Sequence, residues 1–233
     1  MTDTTELDPI IVVGQRRRPG GGFPRGGGGG GGGGSELGDQ QLETGEGDTG
    51  GGGESLDPCA DPETAVEWNA DAAAAEAAKE FARLAAARNP PENLNAREWG
   101  AYLYRNSDGS IRIGTINFGP AFQAGGVGSV ALTPDGPTAD VIGFVHSHAS
   151  GNHLPSDGPD LDNPGDIQVL DSLVAATGNP QLRMYIVAQN QGPAGFTPYN
   201  QINLYNTSNA ASARQSFAPG PQVNPEGLPC SGS

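Results

Sequence analysis

The chain has 233 residues, 27 of them acidic and 12 basic, for a net charge of −15. That balance argues against a nucleic-acid partner, which is held through Lys and Arg contacts to phosphate, and suits a neutral or basic polypeptide better. No apolar run approaches the roughly 18 residues of a membrane-crossing helix, so no membrane association is expected, and the opening Met1-Thr2-Asp3-Thr4-Thr5-Glu6 lacks the basic-then-apolar order of a secretory signal. The expected location is the cytoplasm, or outside the cell by a route that needs no such signal.

In chain order, Ile10-Ile11-Val12-Val13 is a β-prone island ahead of the basic Arg16-Arg17-Arg18. It resembles a short element that precedes toxin domains in some bacterial proteins. The glycine runs Gly26–Gly34 and Gly50–Gly53 follow, with almost nothing apolar between them. Residues 1–57 therefore cannot bury enough surface to offset their ordering entropy, and they are expected to be a disordered, flexible tether. Residues 58–205 have the size of one ordinary domain. Within 90–205 there are ten acidic residues against four basic, so the acidity belongs to the domain and not only to its flanks. Residues 206–233, rich in Pro, Ser, Asn and Gly, read as a disordered tail. Cys59 and Cys230 flank the domain; they could pair if the two ends meet in an oxidising compartment, and their placement is not that of a metal-binding Cys-x-x-Cys.

Inside the domain, Asp61-Pro62-Glu63 opens a helix with a capping residue, a proline at the first helical position and an acid in the first turn. The Ala-rich stretch from Thr64 to about Arg88 carries small apolar residues at helical spacing and should lie close against a sheet; Asn89-Pro90-Pro91 ends it. Trp99–Tyr104 and Ile111–Ile116 flank Asp108-Gly109, a strong hairpin signal. Trp99, Tyr102 and Tyr104 read as core packing. Ser129–Leu132 and Asp140–Val145 are further strands. A long Gly/Pro/Asp loop, 149–165, leads to Asp166, which reads as the N-cap of an amphipathic helix ending near Gly178. Leu182–Ala188 is a continuous apolar strand, expected to be central, and Gln201–Tyr205 an edge strand. The expected fold class is α/β or α+β, a single mixed sheet flanked by helices.

The chemistry concentrates at His146-Ser147-His148. Residues two apart on a strand point to one face of the sheet, so both imidazoles are delivered together, with acids just downstream: the start of a zinc site. Glu98, ahead of Trp99-Gly100, can supply a base. His-Ser-His followed by seven residues and Ser156, with the upstream Glu98, resembles the JAMM (MPN+) zinc metalloprotease family and, more loosely, the JAB-type domains of bacterial toxins and effectors. The resemblance spans about Asp61–Tyr205. It implies a JAB/MPN, cytidine-deaminase-like architecture and Zn2+ held by His146, His148 and an aspartate, with a water as fourth ligand. Glu98 would be the general base and Ser156 the oxyanion helper.

The resemblance also implies a polypeptide or isopeptide substrate and, for an effector, an accompanying immunity or carrier protein. The sequence departs from the family where an aspartate is expected three residues after the serine, since Pro159 cannot ligate. Asp157, Asp160, Asp162 and Asp166 surround that place. Asp166 is favoured, because an aspartate followed by an amphipathic helix is similar to the family's arrangement. Ala149 stands where proline is common, and His153 is a substitute ligand in reserve. The competing expectation is a catalytically silent MPN-like scaffold that binds a partner protein. Nuclease chemistry fits the acidic domain poorly, and the His-x-Glu with Pro-Cys-x-x-Cys of zinc deaminases is missing.

Overall fold

The computed structural model describes residues 10–13, 57–122, 128–158, 164–188, 191–192, 195–196, 201–224 and 227–230. In chain order the elements are β1 (Ile10–Val13), α1 (Pro62–Ala86), β2 (Trp99–Arg105), β3 (Ile111–Ile113), β4 (Asn117–Phe118), β5 (Ser129–Leu132) and β6 (Val141–His148). They continue with α2 (Asp166–Thr177), β7 (Arg183–Ala188), β8 (Gln191–Gly192), β9 (Gly195–Phe196), β10 (Gln201–Tyr205) and α3 (Ala210–Ser216). They form a mixed α+β structure in which a mixed six-stranded sheet is flanked by helices, with strand order β10-β7-β6-β2-β3 and β4 also on β2. The expected single sheet is corrected, because β1 with β5 and β8 with β9 form separate two-stranded sheets. Only β6 and β7 run parallel; the other pairs in the six-stranded sheet are antiparallel. The parallel pair is joined through α2, as a crossover between parallel strands requires.

Alternation along the strands gives the sheet two different faces. One carries Trp99, Ala101, Leu103, Val145, Tyr185 and Val187 against Ala70, Ala74, Ala77, Ala78, Phe81 and Ala85 of α1. The other carries Tyr102, Phe144, Met184 and Ile186 against Val169, Leu170 and Leu173 of α2. Small residues let α1 pack directly on β2, β3 and β6. Its start follows the sequence signal, with Asp61 accepting from Thr64 N at 2.8 Å and proline at the first helical position. Helix α2 ends at Gly178 in the left-handed region, φ 67°, a conformation glycine adopts at little cost. The apolar strand β7 is central, between β10 and β6. The expected strand 111–116 is shorter, ending at Ile113, because Thr115 turns its backbone N–H and hydroxyl to Asp135 instead of a neighbouring strand.

Two expectations about the flanks are corrected. Ile10–Val13, placed in the disordered 1–57, pairs antiparallel with β5, and Val12 is fully buried. The rest of that region, apart from Asp57, lies outside the described residues. The tail 206–233 is not a structureless appendage: α3 buries Ala210 and Ala213, Val223 is 5% exposed, and Cys230 forms a disulfide with Cys59. Composition hid these contacts because they are long-range: one cross-link and a few small buried side chains hold a polar segment in place. Among the described residues no helix is long and apolar enough to cross a membrane.

Candidate metal centre

The carboxyl end of β6 delivers His146 and His148 to the face that also receives α2. Both imidazoles are buried, and their Nε2 atoms lie 3.0 Å apart. Asp166, the first residue of α2, places Oδ1 3.1 Å from His146 Nε2 and Oδ2 3.1 Å from His148 Nε2, with no solvent exposure on any of the three side chains. Among the described residues, this is the group of three whose donor atoms could hold a metal ion. Four ligands at tetrahedral angles and bonds of about 2.0–2.2 Å lie roughly 3.3–3.6 Å from one another. The three donors here sit slightly closer than that, a set that an ion would spread by a few tenths of an ångström. The site fits a divalent cation on donor chemistry and spacing alike.

Each ligand is held from behind, which is how outer contacts orient a metal site. His148 Nδ1 faces the Asn152 carbonyl at 2.6 Å, which assigns the proton to Nδ1 and leaves Nε2 facing the centre. The His146 ring stacks on Phe144 with centroids 5.6 Å apart, and its Nδ1 has no hydrogen-bond partner among the described residues. Asp166 is locked reciprocally to Ser156: Ser156 N donates to Asp166 Oδ2 at 2.6 Å, and Asp166 N donates to Ser156 Oγ at 2.9 Å. The expected N-cap role of Asp166 is therefore corrected. Gly165 occupies the cap position, and Ser156 Oγ serves the first helical N–H while the aspartate side chain turns to the histidines. Gln168 fastens the loop on both sides, its Oε1 accepting from Gly158 N at 3.1 Å and Gly165 N at 3.0 Å, and its Nε2 donating to Asp157 Oδ1 at 2.7 Å.

The electrostatics are those of a compensated buried cluster. Burial disfavours the charged form of His148, but the Asp166 carboxylate, with a contribution from Glu98, outweighs it and raises this histidine to about 9. Burial lowers His146, and its neighbour His148 adds to that. Burial also works against ionised Asp166, yet the two imidazoles prevail and hold its carboxyl well below the usual carboxylate range.

Glu98 is 2% exposed and directly precedes β2. The register pairs Gly100 with His146, and Trp99 N donates to Ser147 Oγ at 3.0 Å, so Glu98 lies level with His148 on the same face. Its carboxylate is pressed against the backbone of Gly128, where a methyl group would collide with Glu98 Oε1.

Of the sequence-expected residues, His146, His148, Asp166, Glu98 and Ser156 are thus all placed at this one centre. Asp157 is not: its exposed side chain is taken by Gln168. Asp160 and Asp162 lie outside the described residues. His153 is nearby and half-buried, with its carbonyl accepting from Tyr205 Oη at 2.5 Å, but it is not among the three clustered donors. Gly128, Gln168 and Asn152 escaped the sequence reading. Gly128 sits in a glycine-rich loop, Gln168 on what reads as a solvent face, and Asn152 acts through its carbonyl, which every residue has. Comparison of the chain with family models, curated proteins and solved structures returned no match.

Proposed function

We propose that the chain is a zinc-dependent metallopeptidase or isopeptidase of the JAMM type, acting on a polypeptide amide bond. The observation that carries this reading is the buried cluster of two imidazoles and one carboxylate with a second carboxylate, Glu98, level with it on the same sheet face. A two-His, one-carboxylate donor set leaves a coordination position open, the mark of a catalytic rather than structural zinc site. Zinc held there by His146, His148 and Asp166 would supply Lewis acidity and lower the pKa of a water toward about 7.

The chain's own residues then divide the remaining work. Glu98 takes up a proton at a carboxylate oxygen from the water that attacks the amide carbonyl and passes it to the departing amine nitrogen. Its burial against Gly128 fixes the direction in which that oxygen points. Ser156, bonded to Asp166 in both directions, keeps the ligand oriented. As a neutral hydroxyl it is also the group from which oxyanion stabilisation would come. The acidic surface favours a basic or neutral polypeptide substrate.

Asp166 beside the two histidines supports this reading over a catalytically silent scaffold. The test is metal analysis of the purified chain together with cleavage of a peptide library that includes Lys-linked isopeptides, read by mass spectrometry. Near-stoichiometric zinc, lost in His146→Ala along with all cleavage, supports the peptidase. Absence of any bound metal supports the scaffold instead.

A further inference from the structure

Strand β1 supplies no ligand to the metal centre, yet it touches α2, which carries Asp166, and β5, which adjoins Glu98 and Gly100. Val12 has no exposure and shares one apolar cluster with Val130 and Leu132 of β5 and with Val169, Leu170 and Leu173 of α2. Ile10 packs on the same cluster, while Ile11 points outward and is 51% exposed. β1 packs against α2, the helix whose first residue is Asp166. On its other side it is the strand partner of β5, with Val13 opposite Ser129. The residue before Ser129 is Gly128, which abuts the Glu98 carboxylate. β5 also presses on β2 at Gly100, the residue opposite His146, where a Cβ would come 2.6 Å from Leu132 Cδ2.

Both carboxylates of the centre thus adjoin elements that β1 contacts: Asp166 begins α2, and Glu98 abuts Gly128 beside β5. β5 has no other strand partner among the described residues, because β1 and β5 form a two-stranded sheet apart from the main one. An isolated strand gains little stability from itself. Yet β1 is separated from the domain by the 43 residues 14–56, so covalent continuity alone does not hold it in its groove.

We propose that the groove between β5 and α2 is a strand-accepting surface, filled in cis by Ile10–Val13, and that seating this strand holds Asp166 and Glu98 in position. β1 is then a positioning element of the metal centre, recognised by strand addition with alternate apolar side chains filling the groove. The inference relies on the proposed function only in treating the centre as a zinc site.

The test uses the full chain carrying Val12→Asp, with Ile11→Asp as the outward-facing control, and reads Zn2+ affinity alone. Wild type and Ile11→Asp should bind zinc alike. Val12→Asp should bind it at least about tenfold more weakly, the size of effect expected when support around a ligand is lost. A synthetic peptide of residues 8–18 should bind Val12→Asp, restore its zinc affinity, and fail to bind wild type, whose groove is filled. Unchanged zinc affinity in Val12→Asp overturns the proposal, and so does a loss that the peptide does not rescue.

Where Val12→Asp fails to fold, a protease site is placed within Gly26–Gly34 of the otherwise native chain and cut after folding. The N-terminal fragment should co-elute with the domain and depart on dilution, with zinc affinity falling as it leaves. A fragment that separates at once with zinc affinity unchanged overturns the proposal. Should wild type take no zinc, the metal reading fails, while co-elution of the fragment still decides whether the groove accepts the strand.

Discussion

Glu98 and Asp166 are both buried carboxylates at one centre, but their surroundings assign them different work. Asp166 has each oxygen turned to an imidazole, whereas Glu98 is wedged against the backbone of Gly128. Replacing Glu98 by Gln keeps the shape and removes the base. The expected outcome is a chain that binds zinc as wild type does and cleaves no peptide in the mass-spectrometric assay; residual cleavage near wild-type rate rejects Glu98 as base. Gly128→Ala puts a methyl group where the carboxylate now lies, and since a side chain yields more easily than backbone, Glu98 swings away. Cleavage should fall by about tenfold or more with the melting temperature little changed, because a displacement of about 1 Å at a reacting group costs up to about a hundredfold.

Ser156→Ala separates two roles at the same scale. Loss of the acceptor for Asp166 N should cost about 1 kcal/mol of stability, as loss of a helix cap does, and weaken zinc about tenfold. A variant with intact zinc affinity and reduced kcat would instead identify the hydroxyl as an oxyanion donor. The histidines were legible in the sequence because alternation on a strand is a rule of geometry. Asp166 was legible as an acid at a helix start, though its side chain faces the imidazoles and does not cap the helix. Gly128 and Gln168 were not legible: their parts come from loops folding back on the site, which no local period encodes.

At the scale of elements, legibility followed the strength of the local signal. α1 announced itself through Asp61-Pro62 and its alanines, the hairpin through Asp108-Gly109, and β7 through an unbroken apolar run. α3 did not, and β1 showed only as a β-prone run placed outside the domain, because each is stabilised almost wholly by what it packs on: Val12 on β5 and α2, Ala210 and Ala213 on the same cluster as Tyr205. The small residues of α1 have a testable consequence. Ala74 and Ala78 are fully buried against the sheet face that carries Ala101, Leu103 and Val145. Ala78→Leu has no room for the added methylenes without pushing α1 off the sheet. A stability loss of about 1–3 kcal/mol is expected, read as a lower urea midpoint with unchanged slope; an unaltered midpoint would mean that the interface is looser than described.

For the molecule as a whole, the two faces of the sheet carry separate duties, and the disulfide belongs to one of them. Cys59 and Cys230 close a span of 171 residues. The linked segment lies along α1, with Cys230 N donating to Asn69 Oδ1 at 2.6 Å and Trp68 Nε1 donating to the Leu228 carbonyl at 2.6 Å. The metal ligands lie on the opposite face, toward α2. A cross-link over so long a loop restricts the unfolded chain strongly, with a contribution of about 3–5 kcal/mol. The double variant Cys59→Ser, Cys230→Ser should therefore melt roughly 10 °C lower, given about 2–4 °C per kcal/mol for a domain of this size. At 25 °C the same variant should still bind zinc with wild-type stoichiometry, since the cross-linked segment lies along α1 while His146, His148 and Asp166 lie on the other face of the sheet. If zinc were lost in step with the cross-link while the chain stayed folded, the two faces would be energetically coupled through the sheet, and this division of the molecule into a stapled face and a chemical face would be wrong.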